Sequence, residues 1–177
     1  MRTLRYILLL LAATAAFFML CAPVSAFTVT GGTEQQCDCV SEVIWSCALE
    51  PSATESLMGE VEIRLGSDLP DLGFSWWGSI YLSEGMDFPL LMDATAHEWC
   101  HLIYKTLPVD LRREWIDMVA PNGYDDSVWT DRPCEIWAES MRCFLFGAEP
   151  RDDMLIVDRD QCWWFLSELK ADALRWV

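Results

Sequence analysis

The first hydrophobic feature of the chain is a nearly unbroken apolar run, Tyr6 to Leu20, interrupted only by Thr14. Arg2 and Arg5 precede it, Pro23 follows it, and Val24-Ser25-Ala26 offers a small-residue cleavage site. Basic start, apolar stretch and small-residue end together form an export signal over residues 1–26. The run falls short of the roughly 20 apolar residues that a membrane span requires. Cleavage and release are therefore expected, with retention as an N-terminal anchor the alternative.

Beyond residue 26 the pattern becomes that of a folded domain. Residues 27–36 are a polar, Gly-containing lead-in and read as loose. From Val40 to Leu49 the apolar positions recur at helical spacing, until Pro51 interrupts them before a second short helix near Ala53 to Met58. Val61-Glu62-Ile63-Arg64-Leu65 alternates and predicts a strand with one face in a core. Gly66 to Gly78 reads as a loop with Trp76 and Trp77 near its end, and Ser79 to Leu82 as a second strand.

Helical spacing then dominates. A helix over about Pro89 to Thr106 ends at Pro108, and Asp110 can cap the next, which carries Leu111, Trp115, Met118 and Val119 and stops at Pro121-Asn122-Gly123. A further helix has Asp131 as its cap, Pro133 in its first turn, and Gly147 with Pro150 at its end. Asp160 can cap the last, with Cys162, Leu166, Leu169 and Ala173 on one stripe. Strands followed by helices predict an α+β fold, with residues 27–177 as a single domain of ordinary size.

Composition narrows the possible partners. The formal net charge is −16, and all 28 acidic residues lie after residue 26, against 10 of the 12 basic ones. Such a surface repels nucleic acid and anionic membranes. No nucleic-acid partner is expected, and no stable membrane association unless the N-terminal segment is kept as an anchor. Eight cysteines, of which Cys21 lies in the leader, make disulfides an expectation for an exported chain. Cys37-Asp38-Cys39 lacks a second pair at zinc-site spacing. Most of the ten tryptophans fall on helical apolar stripes and read as core, Trp76 and Trp77 excepted.

The chemistry concentrates in His97-Glu98-Trp99-Cys100-His101, which holds the only two histidines of the chain. On a helix, positions i and i+4 share a face, so both imidazoles reach one ion, and Glu98 beside them can hold a water against it. Catalytic zinc usually takes a third protein ligand and leaves a position open. With no third histidine that ligand is Asp, Glu or Cys. The best candidates lie on the helix that starts at Pro133. Glu135 and Glu139 share a face there, and the large apolar residues around them predict burial, so the carboxylates need a partner.

With these residues the chain resembles the gluzincin metallopeptidases of the lethal-factor type, in which HExxH is followed by an ExxxE helix. Glu135-Ile136-Trp137-Ala138-Glu139-Ser140-Met141-Arg142 is similar to that helix. The resemblance implies a zincin-like fold: a small mixed sheet, a metal-binding helix and a helical C-terminal half. It implies that His97, His101 and Glu135 bind Zn2+, that Glu98 is the general base, and that Glu139 orients a liganding histidine, His97. It also suggests that the strand before the metal helix, Ser79 to Leu82, is the sheet edge that pairs with substrate. The family carries a tyrosine seven residues before its third ligand. Here that position is Val128, and Tyr124 is the nearest tyrosine and so the candidate phenolic donor. The expected function is that of a secreted zinc metallopeptidase acting on a peptide or protein substrate. The alternative is an exported zinc-stabilised binding or inhibitory module without catalysis.

Overall fold

The computed structural model describes residues 27–47, 59–67, 69, 72–151 and 153–175. The export signal and the short helix expected near 53–58 lie outside the described residues. So does the side chain of Ala173.

The described residues begin with strand β1 (Phe27–Thr30), where a loose lead-in was expected. Phe27 is the reason: it is buried in the core, and β1 lies parallel to β2 (Val61–Gly66) with Phe27 opposite Val61. Helix α1 (Glu34–Ser46) joins them. It starts at a capping box, in which the Thr33 hydroxyl accepts from Gln36 N and the Gln36 amide oxygen accepts from Thr33 N. In β2 the alternation holds as read: Val61, Ile63 and Leu65 point into the core, Glu62 and Arg64 out.

The stretch expected to be a loop contains β3 (Gly73–Trp76), which forms a hairpin with β4 (Ser79–Ser83). Trp77 and Gly78 make its two-residue turn with φ of 45° and 78°. Positive φ at both turn positions matches the twist of the flanking strands. Trp77 adopts it without glycine's freedom, which hid the turn from a sequence reading. The sheet order is β1-β2-β4-β3, parallel except for the β3–β4 pair. The edges of the sheet are therefore β1 and β3, and β4 is interior. Ser79 to Leu82, expected at the sheet edge, is therefore interior, because the chain runs past the β4 position into β3 before turning back.

Helix α2 (Phe88–Thr106) begins at Asp87, whose carboxylate accepts from Leu90 N. It packs against α1, β3, β4 and α4, so it is buried on nearly every side from Ala94 to Cys100. Helix α3 (Val109–Val119) has Pro108 at its cap position and Asp110 inside its first turn. A 3-10 turn (Trp129–Asp131) leads into α4 (Pro133–Phe146). Asp131 belongs to that turn and Arg132 takes the cap position, with no side-chain bond. Gly147, at φ 65°, ends α4 in the left-handed conformation. Helix α5 (Arg159–Arg175) is started by Asp158, not Asp160: the Asp158 carboxylate accepts from the backbone N of Asp160 and of Gln161.

One core joins sheet and helices. Trp115 of α3, Trp137 of α4 and Phe165 of α5 pack edge to face at its helical end. Each buried indole nitrogen there also fixes a neighbour. Trp115 Nε1 donates to Pro133 O at 2.8 Å, and Trp137 Nε1 donates to Cys100 O at 3.1 Å. Trp99, Trp115 and Trp137 are buried, but Trp45, Trp76, Trp77, Trp129, Trp163 and Trp164 are exposed, so most described tryptophans are not core. Trp45, Trp163 and Trp164 lie on helical faces that the neighbours do not fully cover, Trp76 and Trp77 on the β3–β4 hairpin, and Trp129 on the 3-10 turn. Cys37, Cys39, Cys100, Cys134, Cys143 and Cys162 carry unbridged thiols here, so the expected disulfides are not formed among them. Cys37 and Cys39, two apart on α1, cannot face each other. No described helix is long and apolar enough to cross a membrane.

Candidate metal centre

Helices α2 and α4 lie side by side in opposite directions, and their facing side chains pair turn by turn. His101 meets Glu135, His97 meets both Glu135 and Glu139, and Asp93 meets Arg142. The first rung and part of the second converge on one point. His97 Nε2 lies 3.1 Å from Glu135 Oε2, His101 Nε2 lies 3.1 Å from the same oxygen, and the two Nε2 atoms are 3.1 Å apart. The rings stand nearly perpendicular, at 84°.

This triangle fits a metal ion. Bonds of about 2.0–2.1 Å to tetrahedral nitrogen and oxygen ligands put those ligands roughly 3.3 Å from each other. Three potential ligand atoms converge on one point, and the buried His97 Nδ1 has no hydrogen-bond partner. That nitrogen points to Glu139 Oε2 at 3.7 Å, longer than a hydrogen bond and within ion-pair reach. A histidine whose Nε2 binds metal commonly has a carboxylate on its Nδ1 side. Glu98 belongs to the same cluster: one carboxylate oxygen lies within 4.8 Å of a nitrogen of each histidine. His97, Glu98 and Glu135 are buried and His101 nearly so. The cluster can hold a metal ion.

The electrostatics follow from this packing. Burial disfavours the charged His97 ring, but Glu135, Glu139 and Glu98 outweigh it and raise its pKa above the ordinary 6.5. Burial likewise works against ionised Glu135, but the contacts with His101 and His97 prevail and hold its pKa at about 2. Glu139 is driven well below the usual carboxylate range against its own burial by His97, Arg142 and the Arg151 backbone N–H.

Several residues around the centre escaped the sequence reading. Trp129 overlies His97, with ring centroids 6.0 Å apart, and the Arg151 guanidinium sits 5.6 Å from the Trp129 ring centre. Asp93 and Arg142 form the third rung. Their spacing, one turn before His97 and one turn after Glu139, is a signal only once the two helices are known to face each other. Cys134 stands beside Glu135, its Sγ within 4.8 Å of a ligand atom of both Glu135 and His101. Tyr124 is not brought to the centre by any contact among the described residues. It is 45% exposed on the loop that follows α3. Val128 is also exposed, at the start of the 3-10 turn.

On the sheet side, β3 runs past Glu98. Leu72 O accepts from Ser83 N, so alternation turns the backbone groups of Phe74 and Trp76 toward β4 and those of Gly73 and Ser75 outward. Lys105 of α2 donates to Ser75 O at 2.6 Å and to Ser75 Oγ at 2.9 Å. No family model, curated protein or solved structure matches the chain.

Proposed function

We propose that this chain is an exported zinc-dependent peptidase of the gluzincin kind, with His97, His101 and Glu135 as zinc ligands and Glu98 as general base. The observation that carries the reading is the triangle of ligand atoms at 3.1 Å with a buried glutamate beside it. Two imidazoles and one carboxylate are a donor set typical of catalytic zinc, which lowers the pKa of a bound water and polarises a carbonyl.

The chain's own residues supply the rest. Glu98 takes the proton of the attacking water and passes it to the leaving amine. Its burial among carboxylates and histidines keeps bulk water from competing for that proton. Glu139 fixes the orientation of the His97 ring through Nδ1. The outward N–H and C=O of Gly73 and the outward N–H of Ser75 offer an extended peptide a short edge to pair with, next to Glu98. That short edge supports a peptide substrate over a sugar or a phosphate ester. Export rests on the pattern of residues 1–26.

One observation favours a second reading. Cys134 lies within reach of His101 and Glu135, and a fourth protein ligand would close the site as structural zinc sites are closed. The protein would then be a zinc-stabilised binding module without hydrolytic activity. Burial and the Glu135 carboxylate both raise the pKa of the Cys134 thiol, which opposes the thiolate that such a bond requires.

A peptide-library cleavage assay, with and without chelator, separates the two readings. Chelator-sensitive cleavage by wild type and by Cys134→Ala is expected, with zinc retained in both. Glu98→Gln should keep its zinc and lose about 10²–10⁴-fold in rate, the range of a general acid–base group. Zinc binding without cleavage, weakened by Cys134→Ala, would favour the closed module.

A further inference from the structure

The third rung between α2 and α4 contains no ligand and no reacting group, yet it is the most densely bonded part of the interface. The Arg142 side chain is 4% exposed, and it donates in three directions. Its Nε and one terminal nitrogen donate to Glu139 Oε2 and Oε1 at 3.0 Å and 2.6 Å. The other terminal nitrogen donates to Asp93 Oδ1, and the first also reaches Glu149 O at 2.6 Å. Asp93, one turn before His97, accepts from Arg151 at 2.9 Å as well. Arg151 N completes the set by donating to Glu139 Oε1 at 2.9 Å.

The two-pronged grip sets the plane of the Glu139 carboxylate, because both oxygens are held by one rigid guanidinium. Oε2 also lies 3.6 Å from an Arg151 terminal nitrogen, and it faces His97 Nδ1 at 3.7 Å, the buried nitrogen without a hydrogen-bond partner. Arg142 also ties α4 to the turn of α2 that precedes His97, so it sets both the angle of Glu139 and the spacing of the helices that carry the ligands. A buried ion pair that served stability alone has no need of this direction, and such pairs are weak stabilisers.

We propose that Arg142 is a positioning residue of the metal centre: it aims Glu139 at His97 and thereby sets the affinity of the His97–His101–Glu135 site for zinc. The inference rests on the zinc reading of that site.

The test is zinc affinity of the full chain by competition with a chromophoric chelator, for wild type, Arg142→Met, Glu139→Gln and the double variant. Arg142→Met should weaken zinc binding by about tenfold, the lower end of the range for partners of liganding histidines. In the Glu139→Gln background the same change should cost less than about twofold, since residues that act through one another are not additive. The loss of thermal stability from Arg142→Met should appear in both backgrounds. If Arg142→Met does not fold, Arg142→Lys keeps the buried charge and should show the same loss, because an ammonium cannot grip both Glu139 oxygens. Zinc affinity within twofold of wild type in the folded Arg142 variant overturns the proposal, as does full additivity with Glu139→Gln. If wild type binds no zinc, both the proposal and the zinc reading fall. If wild type binds zinc and Glu139→Gln weakens it while Arg142 variants do not, only the proposal falls.

Discussion

Gly73 of the edge strand lies against Glu98 of the metal helix: a methyl group placed on Gly73 would come within 3.3 Å of Glu98 Cγ. It would also meet Leu82 Cδ2 at 3.0 Å and Tyr81 O at 3.2 Å, so the added carbon has little room on any side. The glycine is needed for close approach and not for an unusual backbone angle. It lets the strand pass directly beside the group assigned as base.

Gly73→Ala should therefore displace Glu98 or push β3 outward. Peptide cleavage should fall by about tenfold or more, since sub-ångström to ångström misplacement of a reacting group is costly. Zinc affinity should stay at the wild-type level, because the three atoms nearest the added carbon belong to Leu82, Tyr81 and Glu98 and to none of the proposed ligands. Parallel measurement of kcat/KM and chelator competition checks both halves. A loss of zinc with activity would point to general disruption of α2.

Glu135→Gln and Glu139→Gln separate a ligand from its support. Glu135 Oε2 is a corner of the triangle, whereas Glu139 stands behind His97. Glu139→Gln should weaken zinc by roughly 10- to 100-fold, and Glu135→Gln by more than that. Equal affinities for wild type and Glu135→Gln would remove Glu135 from the ligand set.

Zinc binding should strengthen as pH rises. Zinc takes the neutral ring, and in the free protein the carboxylates hold a proton on His97 to a pH above 6.5. That proton must leave on binding, so affinity is fully developed above the His97 pKa and declines as pH falls through it. The slope should be about tenfold per pH unit for each proton displaced. Glu135, with a pKa of about 2, stays ionised throughout and adds no slope in this window. Chelator competition at pH 8, 7 and 6 checks the sign, and a flat profile would contradict it.

Trp137→Ala should cost about 3–5 kcal/mol, as for other large core aromatics. Trp137 is fully buried between Trp115 and Phe165, and its indole N–H is bonded to Cys100 O of the metal helix. Urea denaturation of the metal-free protein measures the loss without a contribution from zinc.

The sequence made the local parts of this structure readable. His97 and His101 are four apart, as are Glu135 and Glu139, and helical geometry alone puts each pair on one face. Helix α2 and strands β2 and β4 follow from spacing and alternation. What depends on distant pairing was hidden. Phe27-Thr28-Val29-Thr30 is too short and polar to stand out, and becomes a strand only because β2 lies alongside. The exchange of β3 for β4 at the sheet edge depends on strand order, which no local pattern encodes. Asp158 displaced Asp160 as the start of α5, and Asp131 lost its capping role to the 3-10 turn, because caps are decided within one or two residues. Nothing local in the sequence marks Arg142, because its bonds depend on α2 and α4 meeting with Asp93 opposite.

The Lys105 contact to Ser75 shortens the open edge of the sheet. An open strand that welcomes a peptide is also a template for another copy of the chain, and a long one invites fibrous stacking. Here the ammonium already occupies the outward carbonyl of Ser75, so ladder growth toward Trp76 stops after a few bonds. On the proposed peptidase reading, a segment beside Glu98 would find only a few outward backbone groups, and identical molecules would find no continuous rail along which to align.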